Sequence, residues 1–348
     1  VKAPVEVEAT RNSNTAPTVK IELPRNSGDT KVEIPANGKH SYVCDVCTTC
    51  QGINPVKYTR DGNYIYFGYW PQTLERDETV VAKLNEIAGK PPLPRDKENP
   101  FNWESHEGTT YMWQKIVIYN GTKYLGVQMN DYRASGVYSL TSYIMKNGYF
   151  TFEVYWFKYE PIKWRILTTS GNSAFIMSDI ALDSFSIQPN RKSENRDGLF
   201  AEYNNSTGVP DGTYANNWEY CFLRGWLNET FYNEVFNGLQ KEIIKTMKLD
   251  NSARSSNPND YPKYYGYGEN AGKNKFADQC KDTYDKIFLL SLRDITTTAY
   301  GFNKDVLAKD PARNLQATDF AKLHGAPMNT NDKKYVTWYT RSPAPANG

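Results

Sequence analysis

The densest chemistry in the chain is a run of three cysteines behind a histidine, His40-x3-Cys44-x2-Cys47-x2-Cys50. Thiolate and imidazole groups at such short spacing could hold a tetrahedral zinc, which takes four nitrogen or sulfur donors in structural sites. The same cluster could instead close a disulfide or keep redox-active thiols, and the second, separate Cys-x2-Cys pair that would single out zinc is missing. Cys221 and Cys280 stand far apart and read equally well as a disulfide or as two buried thiols.

Other chemistry is sparse. There is no HExxH, no GxSxG elbow and no GxxxxGK[ST], and His40, His106 and His324 lie in unrelated segments. The glycines of Tyr265-Gly-Tyr-Gly-Glu-Asn-Ala271 mimic part of a dinucleotide fingerprint but follow a Pro-Asn-Asp-Tyr-Pro loop, whereas that fingerprint needs a strand before it. Two long polar segments, 183–217 and 250–282, are rich in Asn, Ser, Gly and Tyr, as binding loops are. In the second, Tyr261, Tyr264, Tyr265 and Tyr267 could stack on sugar rings while Asn257, Asn259 and Asp260 bond hydroxyls; the alternative is a solvated loop with incidental tyrosines. Calcium needs several convergent oxygen ligands, and no spaced acidic cluster supplies them. Zinc at the cysteine cluster and calcium in a loop are the two cofactors left open.

Composition limits the partners. Of the 348 residues 39% are apolar and 14% aromatic, and Tyr alone accounts for 26, so much of the hydrophobic content carries a polar tip. A formal charge of +2 offers no broad basic surface for nucleic acid. With a mean hydropathy of -0.69 and no run of about 20 apolar residues, no segment is expected to insert into a membrane.

The elements that must position these groups follow from periodicity. Residues 1–55, rich in Pro, Thr, Asn and Lys with alternating stretches at 18–23 and 30–34, read as a stalk or the end of a preceding β module that carries the cysteine cluster. A domain is expected from 56 to 348. In it, 64–69 reads as a strand and 79–88 as a helix closed by Gly89. Asn120-Gly121 accepts the positive φ values of a tight turn and makes 115–127 a hairpin. Strands are expected near 150–157, 162–167, 173–178 and 286–291, with helices near 218–235, behind Asn216 and Asn217, and 239–247, behind an Asn237/Gln240 capping box. Strands, two adjacent helices and more strands give an α+β class.

Five blocks then stand in one order: Tyr66-Phe-Gly-Tyr-Trp-Pro-Gln72, Glu160-Pro-Ile-Lys-Trp-Arg-Ile-Leu167, Arg224-Gly-Trp-Leu-Asn228 with Phe231-Tyr232, Asp285-Lys-Ile-Phe-Leu-Leu-Ser291 and Trp338-Tyr-Thr-Arg-Ser-Pro343. They resemble the domain-of-unknown-function 6273 family of surface and secreted proteins of gut Firmicutes, over about 64–343. The resemblance implies a C-type-lectin-like or formylglycine-generating-enzyme-like fold, a twisted antiparallel sheet with two flanking helices and long loops. It implies an extracellular or cell-surface location and a non-catalytic recognition role toward a glycan or a surface protein. The alternatives are a structural or adhesive spacer and an enzyme of unknown reaction; the formylglycine-generating enzymes use a reactive cysteine pair near the C-terminal end, and nothing after Cys280 supplies one. Trp164, Trp226 and Trp338 are expected as core anchors, and Arg165, Arg224 and Arg341 as structural hydrogen-bonders. Family members continue beyond the Arg-Ser-Pro block, so an unpaired strand at 335–341 and a longer natural protein are expected.

Overall fold

The computed structural model describes residues 13–15, 17–22, 59–93, 96–105, 112–130, 141–171, 173–185, 187, 217–256, 280–329 and 334–342. Its sheet grows from the expected hairpin, β6 (Met112–Tyr119) and β7 (Thr122–Met129). Asn120 and Gly121 turn it with φ of 49° and 76°, the left-handed pair that matches the twist of the strands they join. β7 pairs in turn with the first residues of a 17-residue strand, β8 (Val154–Ser170). The far end of β8 pairs with β9 (Ser173–Ser178), and β4 (Tyr64–Leu74) runs along its other edge. The short strands β3 (Thr59–Asp61) and β5 (Glu104–Ser105) flank β4 and β6.

Helices cover both sides of this sheet, and two further short ones, α2 (Thr141–Lys146) and α6 (Ala253–Ser256), stand in connecting segments. On one side α1 (Glu78–Ala88) starts at Asp77, whose carboxylate accepts from Thr79 and Val80 N–H, and stops at Gly89 with φ 67°. It lays Leu84 and Ala88 against Trp103, Val117, Tyr124 and Trp156. On the other side lie α3 (Phe222–Trp226), a π turn at Leu227–Phe231, α4 (Tyr232–Val235), α5 (Gly238–Ile243) and α7 (Asp319–Leu323). They bury Leu223, Leu227, Phe231, Phe236 and Phe320 against Ile65, Phe67, Phe157, Ile162 and Trp164 of the sheet. At roughly 1.5–3 kcal/mol for each large side chain taken out of water, this layer is the main stabilising contact of the domain. A smaller cluster of Leu167, Met177, Leu290, Phe302, Leu315 and Val336 binds the C-terminal residues to β8 and β9.

Several expectations hold and others need correction. The hairpin, the strands and the 218–243 helices share one core. The Asn237/Gln240 capping box forms, with both reciprocal bonds present. Trp164 and Trp226 are buried, and Trp338 is half-buried with its N–H on the Arg313 carbonyl. Arg165, Arg224 and Arg341 donate to the Ala312 carbonyl, to Asp285, and to Asp294 with the Leu289 carbonyl.

Residues 13–22 do not stand apart as a stalk. β1 (Ser13–Thr15) pairs with β10 (Asp183–Phe185), and β2 (Thr18–Glu22) lies between β9 on one side and both β11 (Ile244–Lys245) and β14 (Ile287–Phe288) on the other. For the same reason the second helix ends at Ile243: Ile244 and Lys245 pair with β2, and β12 (Met247–Leu249) pairs with β13 (Thr283–Asp285).

Residues 150–152 precede the strand. Phe150 and Phe152 are about half exposed, and Phe152 takes φ 66°, its N–H on the Met129 carbonyl and its own carbonyl held by Gln128. Residues 335–341 form bridges from Val336 to Leu315 and Met328 rather than a strand.

Candidate functional site

Residues that face one another across an antiparallel sheet share a face, so the register shows what each face carries. On the face toward α3, α4 and α7, one row is Ile116, Leu125, Phe157 and Leu74. The next has Ile118 opposite Lys123, the Lys123 ammonium 4.0 Å from the centre of the Tyr159 ring, and Tyr159 opposite Pro71. The helical cover stops part-way along these rows. Phe157 is fully buried, its ring 5.4 Å from that of Phe320, whereas Ile116 and Ile118 are 46% and 42% exposed.

The uncovered strip is the floor of a concavity of about 800 Å³. Its floor holds Gln114, Ile116, Lys123, Leu125 and Tyr159; its wall is Trp226, Thr230, Asn233 and Glu234; and Trp70, Phe185, Phe320 and His324 close its inner end.

The inner end is a tightly packed aromatic cluster. Trp70 sits with its ring centre 5.9 Å from Trp226, 5.3 Å from Phe231 and 5.9 Å from Phe320. It is 7% exposed, and its indole N–H has no acceptor among the described residues. Behind it His324 Nδ1 and Asp183 Oδ1 are joined at 2.5 Å, and Asp183 Oδ1 also accepts from Ser184 N–H at 2.7 Å.

Two elements hold this pair. Asp183 opens β10, whose neighbours Ala181 and Leu182 are bonded to residues 316–318, and His324 caps α7, whose first turn is bonded by the Thr318 hydroxyl. Both side chains are at most 2% exposed, so the pair braces the back wall and presents no nucleophile or base to solvent.

The accessible polar groups are nearer the mouth. Among the described residues the side chains of Gln114, Glu104 and Thr230 have no hydrogen-bond or ion partner. Glu234 is exposed on the last turn of α4, yet protein surrounds it on most sides, as expected for a side chain inside a concavity. That burial pushes its carboxyl above the usual carboxylate range; the Lys123 ammonium pulls it back and the Asp183 carboxylate adds to the rise. Asn233 uses its side-chain oxygen on Lys241, and Lys115 gives its ammonium to the Phe101 and Asn102 carbonyls.

None of the site residues expected from sequence can be placed. His40, Cys44, Cys47 and Cys50 lie outside the described residues, as do Asn257, Asp260, Tyr261, Tyr264, Tyr265 and Tyr267. Among the described residues no cluster of His, Cys, Asp or Glu could hold a metal ion, and no helix is long and apolar enough to cross a membrane. The cleft residues escaped the sequence reading because they come from separate stretches scattered between Trp70 and His324. One signal was there: 114–119 is apolar on both faces, with Ile116 and Ile118 on one and Val117 and Tyr119 on the other. Such a strand is either covered twice or left with an open face.

A family model described as Domain of unknown function (DUF6273) matches residues 171–348, just over half of the chain. No curated protein and no solved structure matches it. The matched part supplies the wall of the cleft and, with Trp70, its inner end, and the part before it supplies the floor. The chain belongs to the DUF6273 family.

Proposed function

We propose that this α+β domain is a recognition module of C-type-lectin-like character, and that the cleft between β6–β7–β8 and α4 takes a hydroxyl-rich ligand, a glycan, without turning it over. The observation that carries the reading is a concavity of ligand size whose mouth holds an amide, two carboxyls and a hydroxyl, three of them unpartnered, above an aliphatic and tyrosine floor. Amide, carboxylate and hydroxyl groups bond sugar hydroxyls in both directions, and Ile116 and Tyr159 offer apolar surface to the ring faces. Of the acids and bases at the inner end, Asp183 and His324 are shut away from solvent, and the two carboxyls at the mouth, Glu104 and Glu234, act as hydrogen-bonding groups for the ligand. A secreted or cell-surface location goes with this reading. Export of the full-length gene product, followed by surface proteolysis, tests it.

The binding test is a glycan array followed by titration of the best ligand. The Gln114→Ala and Glu234→Gln variants should each weaken it about tenfold, the first by removing a hydrogen bond to a buried sugar hydroxyl and the second by replacing a charge-assisted bond with a neutral one. Both variants should fold, because Gln114 has no partner among the described residues and Glu234 is exposed on the last turn of α4. A chain that binds no glycan at millimolar concentration, or binds one with an affinity both variants leave intact, would sink the proposal. The first result would favour a structural or adhesive spacer, and the second a ligand site elsewhere, such as the tyrosine-rich 257–279 segment.

A further inference from the structure

Away from the cleft, the joint between the 218–226 helical turns and β13 carries two thiols. Asp285 is fully buried at its centre and accepts from Trp218 Nε1 at 2.9 Å, Arg224 Nε at 2.7 Å and the Thr283 hydroxyl at 2.7 Å. On one side of this network Cys221 caps α3, its sulfur accepting from Arg224 N–H at 3.4 Å. On the other, the Cys280 sulfur accepts from the backbone N–H groups of Trp218 and Glu219, and the next N–H, of Lys281, bonds the Glu219 carboxylate at 3.3 Å. The sulfur of Cys280 therefore lies against backbone only two residues before Cys221. Both side chains are buried and stand as free thiols, and the charge of an ionised Cys280 would oppose ionisation of Cys221.

We propose that Cys221 and Cys280 are a disulfide site, closed during oxidative folding, that ties α3 to the C-terminal end of the 257–279 segment. The other end of that segment is already held, because Ser256 accepts from Arg293 N–H and from the Ser342 hydroxyl. With the cross-link both ends are fixed to the core.

The redox balance is simple. Each cysteine gives up one S–H hydrogen and one S–S bond forms between them. Oxidised glutathione accepts the two electrons and two protons through a mixed disulfide, its own S–S bond breaks, and two glutathione thiols are released. Exchange needs a thiolate, and burial pushes the Cys221 thiol up to about 12, so the step belongs to the folding chain rather than to the finished fold.

The test is to unfold and reduce the full chain, refold it in a glutathione redox buffer, block free thiols, and map non-reduced peptides. The expected result is a linked peptide pair containing Cys221 and Cys280, lighter by two hydrogens than the two apart. Closing so long a loop should raise Tm by roughly 5 °C over protein refolded in reductant. Cys221→Ser should leave Cys280 alkylatable and abolish the difference. If that variant does not fold, Cys280→Ser and the wild-type map decide. Recovery of the two cysteines as separate alkylated peptides would overturn the proposal, as would a link from Cys280 to Cys44, Cys47 or Cys50.

Discussion

The two faces of the β6–β7–β8 ribbon are built by alternate residues of the same strands, yet they end differently. On the α1 face most polar groups are matched: Trp156 Nε1 bonds Asn85 at 2.8 Å and Trp103 Nε1 bonds the Ala88 carbonyl at 3.2 Å, while among the described residues the Trp113 indole and the Gln128 amide oxygen are left without partners. On the α4 face the cover stops short and polar groups are left over. Two glutamates measure the contrast. Glu75, on the closed side, is desolvated by burial, but the Asp77 N–H, the Lys158 ammonium and the Tyr124 hydroxyl outweigh that and hold its carboxyl below the usual range. Glu234, over the open side, is desolvated too, and there burial prevails. A face that supplies donors to its own carboxyl is closed structure, while one that desolvates a carboxyl without donors leaves it open to the recognition role proposed above.

The contrast breaks most visibly at Trp156. Trp156→Ala empties a fully buried site against Trp103 and strands the Asn85 amide, and should cost about 3–5 kcal/mol in denaturant unfolding. A loss below about 1 kcal/mol would mean the α1 face is not the packed side. Gly126 comes next. A Cβ there would meet the Trp156 ring at 2.6 Å, so Gly126→Val should cost about 1–3 kcal/mol through overpacking, and an unchanged midpoint would refute the close approach.

How much of this was legible depended on distance along the chain. The α1 boundaries, the Asn120-Gly121 turn and the Asn237/Gln240 box are local, each set by residues within one turn of one another, and all were readable. The 160–161 break was not. Glu160-Pro161 reads as an interruption between two strands, but Pro161 pairs with Tyr69 at a register shift in β4, a bulge position where a missing N–H is tolerated, so β8 runs through it. Ile244 and Lys245 continue a helical period and become strand only because β2 arrives from more than 200 residues away. The cleft has the same origin. Ile116 is an ordinary strand residue until the helices opposite fall short of it.

Smaller effects come from titrating the two glutamates, and their signs should be opposite. Glu75 has a folded pKa below the ordinary glutamate value of 4.5, so the stability it contributes is present above that value and is lost as pH falls through the folded pKa. Glu75→Gln should therefore cost about 1–2 kcal/mol at pH 7, from weakened charge-assisted bonds to Lys158 and Tyr124, and little in acid.

Glu234 runs the other way. Its folded pKa lies above 4.5, so the native state binds its proton more tightly than the unfolded chain does. Between the two pKa values stability falls as pH rises, and above the folded pKa the full cost of holding the charge is present. Because the carboxyl is well exposed to solvent, that cost is screened to less than about 1 kcal/mol. Glu234→Gln should thus be slightly more stable than wild type at pH 7, with the two converging below pH 4.5. Urea midpoints at pH 4 and pH 7 measure the difference of differences. A variant less stable than wild type at pH 7 would show that Glu234 already has its partners inside the protein, and would remove the reason for reading the open face as a site.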